Sequence, residues 1–200
     1  GRSYQEVIRI NSQSGKGGIA YVLEQAHGLH LPRWLQIDFS TMVQRHAEDS
    51  ESEVSPARIW EIFKQEYIEQ KTPLALNSFN MKHANSRDHL DAVLLHDGKE
   101  VAVTAEGAGV VESFVSALSQ LINNEIVLVD YSEHAVTNSA SSDAACYVQM
   151  NIQGHRLCGV GLSTDIVAAT LQAILSAVNT YLRDHPVPGW SEVSAAGGAS

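Results

Sequence analysis

The spacing of apolar positions changes near residue 73, and that change divides the chain. Before it the spacing is mostly helical. Val7–Ile10 is a short apolar run that predicts a strand, and the polar, glycine-rich stretch 11–18 follows it. Ile19, Val22, Leu23 and Ala26 then recur at the intervals of one helix face, with Gly28 placed to end the helix. Pro32 suits the first turn of a second helix whose buried face holds Leu35, Phe39, Met42 and Val43. The acidic stretch Glu48–Glu53 interrupts the pattern and predicts a solvated loop. Ser55-Pro56 predicts the N-cap and first turn of a third helix carrying Ile59, Trp60, Phe63 and Tyr67.

After Lys71-Thr72-Pro73 the period becomes that of strands. Leu74, Leu76 and Ser78 alternate, and the runs Asp91–Leu95 and Glu100–Ala105 flank Asp97-Gly98. That dipeptide predicts a two-residue hairpin, because a type I′ turn needs positive φ at both central positions. Gly107-Ala108-Gly109 leads into an amphipathic helix with Val110, Val111, Phe114, Val115, Leu118 and Leu121. The order then repeats. Ile126–Asp130 and Ala145–Ile152 predict strands, Gln153-Gly154 a turn, and Arg156–Leu162 a returning strand. Within it Gly159-Val160-Gly161 precedes a helix with Ile166, Val167, Thr170, Leu171, Ile174, Leu175 and Val178. The fold class is therefore α+β: a small helical subdomain (1–72), then a pseudo-symmetric pair of βββα units (73–182). Neither unit buries its helix face alone. Residues 183–200, with Pro186, Pro188 and an Ala-Ala-Gly-Gly stretch, read as a flexible tail.

Composition narrows the function. With 44% hydrophobic and 18% charged residues the chain is globular, and no run approaches the ~18–20 apolar residues of a membrane span. Residues 1–88 carry 10 Lys and Arg against 11 Asp and Glu, whereas residues 89–200 carry 3 against 12. A surface so poor in cations neither neutralises a nucleic-acid backbone nor docks on anionic lipid. No nucleic-acid and no membrane partner is expected. Two cysteines are too few for a disulfide scaffold, which leaves the cytoplasm as the default location. The opening Gly-Arg-Ser-Tyr, without Met, reads as the start of a piece of something longer.

Candidate chemistry is sparse. Ser14-Gly15-Lys16-Gly17-Gly18 lacks the spacing of a phosphate loop and reads as a tight turn. Nine histidines are scattered without metal-ligand spacing, and Cys146 and Cys158 read as small core residues on adjacent strands, so no metal or cofactor is expected in this chain. Ser132-Glu133-His134 brings three hydrolase residue types together, but neighbours on a strand point to opposite faces and form no relay. The two Gly-x-Gly/helix junctions are the best sites. Unpaired N–H groups at a helix N-terminus favour a carboxylate, and glycines let it approach closely. Asp130 or Glu133 could meet an ammonium, and Ala135, Ala144 and Ala145 leave room for a branched side chain. Equally, the glycines could serve only to ease strand-to-helix packing.

Val7–Gly18, with His27-Gly28-Leu29 and Leu31-Pro32-Arg33, resembles the segment that follows the catalytic barrel in the 2-isopropylmalate synthase family. Asp130-Tyr131-Ser132-Glu133-His134-Ala135 and Gly159-Val160-Gly161 are similar to motifs of that family's leucine-sensing domain. The resemblance covers residues 1–182. It implies an acyltransferase that condenses acetyl-CoA with 2-oxoisovalerate in a barrel lying upstream of Gly1, where the divalent metal and catalytic groups would also lie. No catalytic residue is then expected here. The resemblance further implies a homodimer and an allosteric L-leucine site formed by Gly107, Gly109, Val111, Leu128, Tyr131, Ala135, Ala144 and the turn Gly159, Gly161 and Ser163. Inhibition would need leucine to favour one conformation, and ~1–3 kcal/mol of coupling gives roughly 5- to 150-fold effects. The helices around Leu35–Val43 and Ile59–Tyr67 would carry it. Alternatives are the regulatory end of a citramalate or homocitrate synthase, a purely structural dimerisation domain, and a hydrolase resting on Ser132–His134 alone.

Overall fold

The computed structural model describes residues 16–50, 54–137 and 140–188. The strand expected at Val7–Ile10 and most of the glycine-rich stretch lie outside them, although Lys16, Gly17 and Gly18 open the first helix. That helix, α1 (Lys16–His27), ends at Gly28, whose φ of +65° allows its own N–H to reach Glu24 O and that of Leu29 to reach Leu23 O. Helix α2 (Arg33–Ser50) buries Leu35, Phe39 and Val43. It continues through Glu48 and Asp49 instead of breaking there, since an exposed acidic side chain such as Glu48 does not oppose a helix; residues 51–53 of the expected loop lie outside the described residues. Ser55 caps α3 (Pro56–Phe63) by accepting the Arg58 N–H at 3.1 Å, and a wider π-helical turn, Lys64–Ile68, buries Tyr67.

Two antiparallel three-stranded sheets follow. Sheet 1 orders β1 (Leu74–Ala84), β2 (Arg87–His96) and β3 (Lys99–Gly107); sheet 2 orders β4 (Ile126–Ala135), β5 (Ala144–Ile152) and β6 (His155–Ser163). Each is followed by a helix, α4 (Val110–Ile122) and α5 (Ile166–Asp184). Asp97-Gly98 and Gln153-Gly154 make the tight turns with positive φ at both residues, as does Asn85-Ser86 between β1 and β2. Each first strand carries an extra residue at the same place, shifting register between Leu76 and Ser78 in β1 and between Leu128 and Asp130 in β4. Helix α5 runs on through Arg183 and Asp184, the first two residues of the stretch expected as a tail, and residues 189–200 of that stretch lie outside the described residues.

The two sheets are used differently. One core joins sheet 1, α4, α5 and one face of sheet 2, including Leu90, Phe114, Leu118, Val148, Met150, Leu171 and Ile174. A second core joins α1, α2 and α3 to the other face of sheet 2, through Ala145, Tyr147, Cys158 and Val160. Sheet 2 is thus covered on both faces, and every residue of β5 from Ala145 to Met150 is buried. The connector between the helical segment and β1 is held by α5. Asn179, fully buried, donates to Gln70 O and Leu74 O and accepts the Leu74 N–H, while Ser176 donates to Tyr67 O. Among the described residues no helix is long and apolar enough to cross a membrane.

Candidate functional site

Strand alternation and the bulge at β4 decide which predicted residues share a face. Leu128 pairs with Met150, but after the extra residue it is Tyr131, Glu133 and Ala135 that pair with Val148, Cys146 and Ala144. Both sets therefore face α5, although Leu128 and Tyr131 differ in parity along the sequence. The rows continue onto β6: Val148 meets Gly159, Cys146 meets Gly161 and Ala144 meets Ser163. Ala145, expected beside Ala144, faces the helical segment instead.

A polar cluster marks this face. The Tyr131 hydroxyl donates to the Glu133 carboxylate and lies 3.3 Å from Thr170 Oγ1 on α5. Burial, then the Glu133 hydrogen bond, push the Tyr131 phenol far above its usual pKa, so it stays a donor. Burial likewise raises the Cys146 thiol to about 12, which leaves it an inert neighbour of Thr170 and Tyr131. Cys158 lies on the opposite face with its thiol toward Asp38, and burial raises it too. The cysteines sit on adjacent strands, as expected, but on opposite faces.

The two strand-to-helix junctions are not alike. Asp97 and Gln153 are 56 residues apart in equivalent turns, and so are Gly107 and Ser163. Gly107 thus corresponds to Ser163, and Gly109 to Asp165, rather than to the second Gly-x-Gly. Gly159 and Gly161 lie inside β6 against α5, where a Cβ would collide with the Ala173 and Ala169 carbonyls. Asp165 caps α5, its carboxylate accepting from Val167 N and Ala168 N at 2.8 and 3.3 Å. Gly109 caps α4 with no side-chain hydrogen bond and with open space around its Cβ position. Of these two helices, α4 keeps its first-turn amide donors free of a cap side chain.

Leu121, Ile122, Asn123 and Asn124 from the end of α4 line one cavity of about 490 Å³ with Tyr181 and His185 from the end of α5. The C-terminal ends of α4 and α5 therefore border the same cavity. Ala135, Ala144 and Ser163 share one row at the end of sheet 2, with Tyr131 further along the same face, while Gly107, Gly109 and Val111 lie where β3 passes into α4. Leu128 and Gly159 lie further down the sheet. Ser163 is already engaged, its Oγ accepting the Asp165 N–H at 3.2 Å. The residues that sequence reasoning missed are Thr170 and Asp165; the serine-threonine-aspartate run before an apolar helix is a cap signature that pointed to the latter. Ser132-Glu133-His134 makes no relay: Glu133 faces α5 while His134 contacts Tyr147 and His30. Among the described residues no group of three or more His, Cys, Asp or Glu side chains is arranged to hold a metal ion.

These features define a class, the paired βββα domain, here with a helical segment packed on one of its sheets. Residues 53–182 match the family described as the LeuA allosteric (dimerisation) domain, and residues 1–24 match the alpha-isopropylmalate synthase post-catalytic domain-like family. The chain belongs to the LeuA allosteric (dimerisation) domain family. Among its relatives, 2-isopropylmalate synthase of Mesorhizobium japonicum is 44% identical over 185 residues, which is 90% of this chain and 33% of that protein. The enzymes of the same name from Corynebacterium glutamicum and Mycobacterium leprae are 40% and 38% identical, over 91% and 90% of this chain and 30% of each relative. The chain spans about a third of the length of these relatives.

Proposed function

We propose that this chain is the regulatory portion of a cytoplasmic 2-isopropylmalate synthase, sensing L-leucine and pairing with a second copy of itself. The helical part up to residue 72 would then link the sensing pair, residues 73–182, to a catalytic barrel elsewhere in the polypeptide. What carries the reading is the phase shift at the β4 bulge, which brings Tyr131, Glu133 and Ala135 onto the α5 face. The first turn of α4, which has no side-chain cap, would supply the other half of the site. There the amides after Gly109 offer donors and a partial positive charge to a carboxylate, which α5 cannot because Asp165 already fills that role. Glu133 offers the complementary charge for an ammonium, and Val111, Ala135 and Ala144 supply small apolar walls. An aliphatic α-amino acid carries all three features.

Feedback would follow if leucine favoured one arrangement of sheet 2, because that sheet is covered by α5 on one face and by the helical segment on the other. The decisive experiment is calorimetric titration of the chain with L-leucine, with L-isoleucine, L-lysine and D-leucine as controls. The expected result is saturable binding that prefers L-leucine and is lost in Gly109→Val. A folded, dimeric chain giving no heat with any of the four would overturn the sensing role.

A further inference from the structure

The turn after α1 is fastened to the end of sheet 2 by contacts that leucine sensing does not use. The His30 N–H donates to His134 Nε2 at 3.1 Å, and the Tyr147 hydroxyl lies 2.7 Å from the same nitrogen. His134 Nδ1 lies 2.8 Å from Ala135 O. A backbone amide can only donate, so Nε2 is an acceptor and the ring proton sits on Nδ1, given to the Ala135 carbonyl. The ring is neutral. Around it, Thr137 N–H donates to Gly28 O at 3.2 Å, and His30 Nε2 lies 2.8 Å from Thr137 Oγ1. Gly28 approaches Thr137 so closely that a Cβ there would collide with its carbonyl. The titratable groups facing His134 are His30, itself 3.4 Å from Glu24 of α1, and Tyr147 of β5.

We propose that His30, His134 and Tyr147 form a proton-operated latch between the helical segment and sheet 2, closed while His134 is neutral and opened when Nε2 takes a proton. A protonated Nε2 is a donor facing the donor N–H of His30, so the contact that held the turn becomes repulsive. Burial foremost, and the His30 ring after it, hold the His134 pKa below its usual 6.5 despite the hydrogen bond to Ala135 O. The closed form therefore dominates at neutral pH. Position gives the latch its consequence. His134 contacts the helical segment while the next residue, Ala135, faces α5, so the latch stands back to back with the face assigned to the effector. Its regulatory meaning rests on that assignment; the latch itself does not.

The test uses the whole chain with no amino acid added, so that its failure and a failure of leucine sensing are separate results. Ring nitrogen and backbone amide signals are followed by NMR from about pH 8 down to about pH 5, the span that brackets an imidazole. The expected ring pattern at high pH is protonated Nδ1, and the His30 amide signal titrates with the same midpoint as the His134 ring. Below that midpoint the protection of the His30 amide, corrected for intrinsic exchange, falls about tenfold per pH unit, as for one linked proton. In His134→Gln, whose carbonyl accepts but does not titrate, the protection persists and loses this pH dependence. A protonated Nε2 at high pH, or a His30 amide that stays still while the His134 ring titrates, would overturn the latch.

Discussion

At Gly161 a single added methyl would meet the carbonyl of Ala169, and at Gly159 that of Ala173, so α5 lies on β6 at backbone distance. Gly161→Ala must push helix and sheet apart, and overpacking of this kind costs about 1–3 kcal/mol. The expected urea midpoint falls accordingly with an unchanged slope. At Gly109 the surroundings are open, and Gly109→Asp supplies the cap that α4 lacks. That substitution is expected to raise the midpoint slightly while abolishing leucine binding, because its carboxylate takes the place of the ligand's. Opposite stability effects at two glycines of similar motifs would separate packing from sensing. Asn179 is the third residue on which much depends. It holds three hydrogen bonds to the connector, two of them buried and the third partly so, and Asn179→Leu removes the partner of two carbonyls and one N–H. At about 1 kcal/mol or more for each orphaned group, a loss of roughly 3 kcal/mol is expected in the same measurement.

Among the elements, α5 has the clearest cap. Asp165 accepts from two first-turn amides, and Asp165→Ala is expected to lower stability by about 0.5–2 kcal/mol, read as a lower thermal midpoint. The helices and hairpins were legible in the sequence where local chemistry alone sets them. Ser55-Pro56 caps α3, Gly28 ends α1, and Asp97-Gly98 and Gln153-Gly154 turn their hairpins. What escaped depends on a neighbour. The far half of β1, from Asn80 to Ala84, is polar and mostly exposed, so no apolar alternation announces it; β2 holds it by backbone pairing. The bulges at the first strand of each unit carry no residue signal, yet they decide that Leu128 and Tyr131 share a face. Matching the units by their glycines misaligned them, because Gly159 and Gly161 answer to helix packing on sheet 2 whereas Gly107 and Gly109 end a strand and open a helix. The hairpin turns were the better ruler.

Across the whole molecule, sheet 2 is the element shared by both cores, and it ties the helical segment to the βββα pair. Two of the three tryptophans, Trp34 and Trp60, lie in the helical segment, so in a Trp190→Phe variant fluorescence reports that part while far-ultraviolet circular dichroism reports the whole chain. A shared sheet and a buried connector predict coincident transitions by the two probes in urea. A fluorescence change at lower urea than the dichroism change would mean that the helical segment unfolds by itself. The same curves should depend on pH. His27 stacks on Trp60 with centroids 3.9 Å apart, and burial, then Lys64, lower its pKa; burial lowers that of His134 at the other side of the contact. Both groups bind a proton more readily when unfolded. Their contribution is whole above the unfolded pKa of 6.5 and is lost as pH falls from there through the folded values. Asp38 acts in the opposite sense and in a lower window, since burial raises its carboxyl above 3.8. The urea midpoint is therefore expected to hold steady above about pH 7 and to decline as the solution is acidified below it. The decline should be smaller in His134→Gln, with the two probes still moving together. A midpoint that is flat through this range would mean that neither histidine loses solvation on folding, and that the helical segment rests on sheet 2 less closely than its buried residues require.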